Sequence, residues 1–309
     1  MSKAQLDFIL NISAQNPPPK NASPAMMREW FEGINAETPI ADGSMIERVP
    51  AGPCGGDLIR RDETDESRLV IYYHGGGFFF GSSRSHRVIA THLARTSGAA
   101  VLAADYRLAP ENPAPAAHDD AFAVYKWALA QGYDPAAIAL TGDSAGGNLA
   151  LSVAVRAKKE GLPQPDALVL MSPALDLASE GDSHHSVTDA PLLTPQLMEL
   201  FNVVYVGTGD RKSETVTPFY SDFTGLPPTL VQIGSWEILR EDSVTVVERL
   251  KAAGVSAELN IFEGMVHSWQ LFAPMLDEGM QSIEEAGGFL RNRLRSSMKR
   301  EGTVKLTDG

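Results

Sequence analysis

The run Arg68-Leu-Val-Ile-Tyr-Tyr73 has no polar residue at its centre and leads directly into His74-Gly75-Gly76-Gly77. A strand of that kind has no solvent face, so it belongs in a sheet covered on both sides, as parallel sheets are. Further strand-like runs stand at 44–50, 57–61, 99–104, 138–141, 167–171, 229–233 and 258–262. Helical patterns lie between them at about 84–97, 116–131, 145–160, 240–253 and 280–297. The alternation predicts an α/β fold: a mostly parallel central sheet of about eight strands, with right-handed crossovers and helices on both faces. A chain of 309 residues with ordinary apolar content can bury one large core, so a single main domain carrying an insertion is expected.

Two segments interrupt the alternation. The first, 178–225, opens with the polar loop Ser179-Glu-Gly-Asp-Ser-His-His-Ser186, continues through a helical run at Pro195-Gln-Leu-Met-Glu-Leu-Phe201, and ends rich in Thr, Ser and Pro. The second, 1–43, reads as helical pieces around Asn16-Pro17-Pro18-Pro19-Lys20; Pro24 opens a segment whose Met26, Met27, Trp30, Phe31 and Ile34 share one helix face. Together they are expected to form a helical cap over a core made of 44–177 and 226–309. The formal net charge of −13 repels phosphate backbones and anionic headgroups, which argues against nucleic acid or a membrane as partner and favours a small neutral molecule. Cys54 is the single cysteine, so no intrachain disulfide can form. No stretch has the pattern of a signal peptide or the length of a membrane span, and a cytoplasmic location is expected. The tail 291–309, with four Arg and two Lys, reads as a frayed helix end.

Chemistry enters at Gly142-Asp143-Ser144-Ala145-Gly146, which joins the strand-like Ile138-Ala-Leu-Thr141 to a helical pattern. A Gly-x-Ser-x-Gly pentapeptide arises by chance in roughly one such chain in five, so the strand-to-helix context and the upstream HGGG carry the signal. In that setting Ser144 is a candidate nucleophile on a sharp, strained turn, and Gly142 and Gly146 supply the small flanks that the turn needs. The helix from Ala145 aims its first amides and positive dipole end at the same place. A phosphate-binding turn would need Walker spacing and its lysine, which are absent. The amides of Gly75, Gly76 and Ala145 are the candidate oxyanion hole, each donor of this kind being typically worth about 2.7–4 kcal/mol. Phe78, Phe79 and Phe80, with Trp30, Phe31 and Phe201 from the cap, are the candidate substrate pocket. Bulk there and an acidic surface predict short acyl esters rather than emulsified lipid.

A serine nucleophile needs a base, and the base needs an orienter. In this type of fold the order along the chain is serine, acid, histidine. Of the seven histidines, His267 alone follows Ser144 with a post-strand acid between them, in Glu263-Gly-Met-Val-His267 just after a strand end. His86, His92 and His118 lie on helical patterns and read as structural. His184 and His185, with Asp182 and Asp189, suggest a metal site, but their polar loop reads rather as solvated surface. Glu237, three residues past Gly234, is the candidate acid, with Asp242 as the alternative. No metal or organic cofactor is required.

These residues resemble the hormone-sensitive lipase family of α/β-hydrolases, whose bacterial members are carboxylesterases. The similarity spans about 68–270: HGGG at 74–77, Asp105-Tyr-Arg-Leu-Ala-Pro-Glu111, the elbow at 142–147, Ser172-Pro173, and Gly264-Met265 two residues before His267. The resemblance implies a helical cap, ester substrates, a supporting part for Asp143, and the dimers that many bacterial members form. Where members commonly carry Asp-Pro-Leu-x-Asp-Glu, this chain has Glu237-Ile-Leu-Arg-Glu-Asp242, so the triad acid would be glutamate. Two other readings stay open: a small-molecule receptor on the same fold, as in the gibberellin receptors, and an amidase or peptidase with the same triad.

Overall fold

The computed structural model describes residues 2–35 and 37–295. Helices α1 (Lys3–Gln15) and α2 (Pro24–Asn35) precede strands β1 (Met45–Val49), β2 (Gly56–Arg60) and β3 (Asp65–Tyr73). Then come α3 (Arg87–Ser97), β4 (Ala99–Ala104), α4 (Ala116–Ala130), β5 (Ile138–Asp143), α5 (Ala145–Lys159) and β6 (Ala167–Met171). The short α6 (Ser183–Ser186) and α7 (Pro195–Tyr205) lead to β7 (Thr229–Gly234), α8 (Arg240–Ala252), β8 (Ala257–Phe262) and α9 (Asp277–Arg293). The charged tail from 296 onward lies outside the described residues.

The strands form one eight-stranded sheet in the order β1-β2-β4-β3-β5-β6-β7-β8. Pairings β1 to β2 and β2 to β4 are antiparallel, and every other pairing is parallel. Strand residues two apart face the same side, and β3 shows what that does to its apolar run. Leu69, Ile71 and Tyr73 pack toward Phe122, Val124, Leu149 and Val153 of α4 and α5. Val70 and Tyr72 pack the other way, toward Ile89 and Leu93 of α3 and Ile283 and Leu290 of α9. Both faces are therefore dry, as an unalternating strand demands. Burial of each such large side chain stabilises the fold by about 1.5–3 kcal/mol.

The two N-terminal helices use their apolar faces differently. Leu6 and Ile9 of α1 pack on Phe262, Met265, Val266, Trp269 and Leu276, which surround the loop that leaves β8. Ser2 and Gln5 tie the same helix to Glu278 and Asp277 at the start of α9. None of the residues of α2 is fully buried, although its apolar stripe is well formed. Met27, Trp30, Phe31 and Ile34 instead line a cavity that opens above the carboxyl ends of the strands. A stripe that faces a cavity keeps helical periodicity without losing its contact with solvent.

Candidate active site

Three loops at the carboxyl edge of the sheet meet at Ser144. The serine has φ 53° and ψ −120°, a strained turn conformation between β5 and α5. Close packing of that turn is what requires glycine nearby: a Cβ on Gly146 would lie 1.9 Å from the Tyr73 carbonyl oxygen. Ser144 Oγ stands 2.9 Å from His267 Nε2. His267 Nδ1 stands 2.8 Å from Glu237 Oε2. Because a carboxylate can only accept, Nδ1 carries the proton and Nε2 presents its lone pair to the serine hydroxyl.

Glu237 is buried and engaged at both oxygens. Its Oε1 accepts from the Gly234 amide and from Ser172 Oγ, each at 2.7 Å. Ser172 Oγ in turn accepts from the Ser268 amide at 3.2 Å, so one hydroxyl joins the acid loop to the histidine loop. Sequence reasoning gave Ser172 no function. The only sign of it was the Ser172-Pro173 pair at the end of β6, which says nothing about where the hydroxyl points. Asp242, the alternative acid, does not reach His267; its Oδ1 stands 3.0 Å from His184 Nε2. That pair also corrects the reading of His184 as solvated surface, because the side chain is buried against Asp242 of α8. His185 is exposed. Among the described residues no group of three or more His, Cys, Asp or Glu is placed to hold a metal ion.

The HGGG loop is held from beneath. Asp143 Oδ1 accepts from Tyr72 Oη at 2.5 Å and from the Gly75 amide at 2.9 Å, while Oδ2 accepts from Ser268 Oγ at 3.1 Å. His74 donates from Nδ1 to the Gly75 carbonyl at 2.8 Å and stacks on Tyr106 with 4.2 Å between centroids. Burial, reinforced by the nearby His86, pushes the His74 pKa down to about 4, so the ring is neutral and acts as a strut. Tyr106 donates to the His74 carbonyl, and the Ala109 amide to the Phe78 carbonyl, so the Tyr-Arg-Leu-Ala-Pro segment braces the loop.

Two expectations about this loop need correction. The Gly75 amide is committed to Asp143 and cannot serve as an oxyanion donor. Gly76 and Gly77 line the cavity instead, and neither amide bonds to a described residue. A Cβ at Gly77 would lie 2.4 Å from the Phe201 ring at a φ of +60°, so only glycine fits there. The second correction concerns the phenylalanines. Phe80 lines the cavity with Trp30, Phe31 and Phe201, but Phe78 and Phe79 do not. Phe78 turns into the core and stacks on Tyr205 at 4.0 Å, and Phe79 packs beneath the Arg28 guanidinium. Successive residues of a tight loop point in different directions, so three in a row cannot all face one pocket.

The cavity has a volume of about 670 Å3 and is mainly apolar, with Ser144, His267 and Asp143 in its wall. Fold and site together define an α/β-hydrolase. The chain matches the family described as alpha/beta hydrolase fold over residues 70–271. It is 38% identical over 253 residues to an acetyl-hydrolase of Streptomyces hygroscopicus, covering 81% of this chain and 84% of that protein. Carboxylesterase NlhH of Mycobacterium tuberculosis is 37% identical over 241 residues, covering 75% and 76% of the two chains. A crystal structure of an esterase from the bacterial hormone-sensitive lipase family superposes with a TM-score of 0.91 at 37% identity, over 94% of this chain and 99% of that one. The chain belongs to the hormone-sensitive lipase family of α/β-hydrolases.

Proposed function

We propose that the protein is a serine carboxylesterase that hydrolyses small esters with short acyl groups. The observation that carries this reading is the continuous relay from Ser144 Oγ to His267 Nε2 at 2.9 Å and from His267 Nδ1 to Glu237 at 2.8 Å. Ser144 attacks the ester carbonyl while His267 takes its proton, and Glu237 holds the imidazole tautomer and stabilises the cation that forms. The amides of Gly76, Gly77 and Ala145 receive the oxyanion; Ala145 opens α5, where helix geometry leaves amides without an intrahelical partner. His267 then protonates the departing alcohol. A water molecule repeats the sequence on the acyl-enzyme and frees Ser144.

Helices α1 and α2 and the segment 178–225 act as a cap that shapes the substrate cavity. Phe31 and Phe80 stack at 4.4 Å, and Phe80 meets Phe201 edge-on at 5.6 Å, so aromatic rings crowd the space beside Gly77 and Ser144. That crowding supports a short acyl group, as does the likeness to an acetyl-hydrolase. The cavity is also lined by Ile12, Trp30, Ile34 and Phe272, apolar side chains that suit an apolar alcohol. The test is Ser144→Ala with para-nitrophenyl butyrate: turnover is expected to vanish while the circular dichroism spectrum and melting temperature stay close to those of the parent. Unchanged turnover would discard the reading.

A further inference from the structure

Three serines of the site share an uncommon backbone angle. Among the described residues seven other than glycine have a positive φ, and Ser144, Ser172 and Ser268 are three of them, at 53°, 41° and 50°. A Cβ is crowded in that region, so a residue other than glycine kept there points to a function that offsets the strain. For Ser144 that function is exposure of the nucleophile at the elbow. Ser172 and Ser268 come from two other loops, one after β6 and one after β8.

Ser268 follows the base directly and is tied down on two sides. Its amide donates to Ser172 Oγ at 3.2 Å, and that hydroxyl donates to Glu237 Oε1 at 2.7 Å. Its own hydroxyl donates to Asp143 Oδ2 at 3.1 Å. Asp143 precedes the nucleophile, and its other oxygen holds the Gly75 amide of the HGGG loop at 2.9 Å. Asp143, Ser172 and Ser268 are all buried, so these bonds meet little competition from water. Glycine would adopt the same turn with less strain, and would keep both the amide bond to Ser172 and the bond from the Leu271 amide to the carbonyl of residue 268. Conformation alone therefore does not account for a serine here. What glycine lacks is the hydroxyl and its bond to Asp143.

We propose that Ser268 is a positioning residue, whose hydroxyl fixes the His267 loop against Asp143 and so sets the place of the base relative to the nucleophile and the oxyanion loop. The inference rests on Ser144, His267 and Glu237 acting as the triad. A single bond to Glu237 lets the imidazole pivot about Nδ1, so the 2.9 Å between Nε2 and Ser144 Oγ needs a second restraint. Ser268 supplies it from the neighbouring position in the chain. Misplacement of reacting groups by about 1 Å can cost about a hundredfold in rate, so a bond that touches neither substrate nor proton still bears on turnover.

The experiment compares Ser268→Gly and Ser268→Ala with the parent on para-nitrophenyl butyrate, with melting temperatures measured beside the kinetics. Both variants lose the hydroxyl, and kcat is expected to fall by about tenfold or more in each while KM stays within about twofold of the parent. The rate at which a serine-directed phosphonate reacts with Ser144 should fall by a similar factor, because that reaction also needs the base in place. Ser268→Asn tolerates the left-handed backbone and carries a donor, and should recover part of the lost kcat. A purely structural part for Ser268 would give another pattern, with parental kcat in Ser268→Gly, which keeps the turn, and a lowered melting temperature in Ser268→Ala. That pattern would overturn the proposal. Ser268 also lines the cavity, so a raised KM at unchanged kcat would make it a substrate contact and overturn the proposal as well. Failure of the parent to hydrolyse any plain ester would remove the Ser144 reading, and the positioning part with it.

Discussion

Glu237 and Asp242 lie five positions apart, and the backbone between them sends their side chains to different partners. Glu237 has the Gly234 amide, Ser172 and His267 as partners, whereas Asp242 holds His184 and the Asp176 amide. Glu237→Gln removes the charge but little of the packing, and should lower turnover by about three to four orders of magnitude, because the imidazole tautomer is no longer fixed. Asp242→Asn should leave kcat within about threefold of the parent, since that carboxylate touches none of the reacting groups. A crippling Asp242 change beside a silent Glu237 change in steady-state assays would reverse the assignment. Gly77→Ala tests the oxyanion loop. The added methyl meets the Phe201 ring at a backbone angle that favours glycine, and turnover should fall by at least about a hundredfold, to be measured beside the melting temperature. Gly75 and Gly77 look alike in the sequence. What separates them is Asp143, a residue 68 positions away from Gly75 whose carboxylate takes up that amide, and no local pattern reveals it.

At the scale of elements, the short helix α6 anchors the 178–225 segment to the loop that carries the acid. Ser183 Oγ donates to the Ile238 carbonyl at 2.6 Å and accepts from the Glu241 amide at 3.1 Å, so it grips both ends of the turn into α8. His184 adds the buried bond to Asp242. Burial alone would lower the His184 pKa, but the hydrogen bond and charge of Asp242, helped by Asp176 and Glu241, outweigh it and the net shift is upward. A histidine whose pKa is raised on folding contributes stability that is fully present below its unfolded value, about 6.5, and that is lost as pH climbs through the folded value. The melting-temperature gap between the parent and His184→Gln should therefore be wider at acidic pH than at alkaline pH. A gap that stays constant across that range would mean that folding leaves the pKa of the ring unshifted, and one that narrows at acidic pH would mean that the imidazole is held neutral in the folded protein. In the sequence the same loop reads as polar surface, because Asp, Ser and His side chains look solvated until tertiary contacts pair them.

For the whole molecule, the strands were the most legible part. Runs such as Ala99–Ala104 and Ala167–Met171 are apolar throughout, and only a doubly covered parallel sheet makes use of that. The order Ser144, Glu237, His267 was legible too, because chain order and strand ends restrict the choices. The direction of side chains in loops is not legible, so the sequence pattern puts Phe78 and Phe79 beside Phe80 in the pocket and gives the Ser172 hydroxyl no part. The cavity depends on elements far apart in the chain, joining Ile12 of α1, Phe31 of α2, Leu193, Phe201 of α7 and Leu271. An acyl-chain series on chromogenic esters should peak at about four carbons or fewer, each added methylene then meeting the ring cluster, and a peak at long chains would contradict the crowding beside Gly77. Among the described residues no helix is long and apolar enough to cross a membrane. The central claim is that one serine, activated by His267, carries the chemistry. Stoichiometric reaction with a serine-directed phosphonate, followed by peptide mass spectrometry, tests it most directly. One adduct per chain on Ser144, formed in step with loss of ester turnover and absent from His267→Ala on the same timescale, is the predicted result; an adduct on another residue, or full turnover after Ser144 is modified, would contradict it.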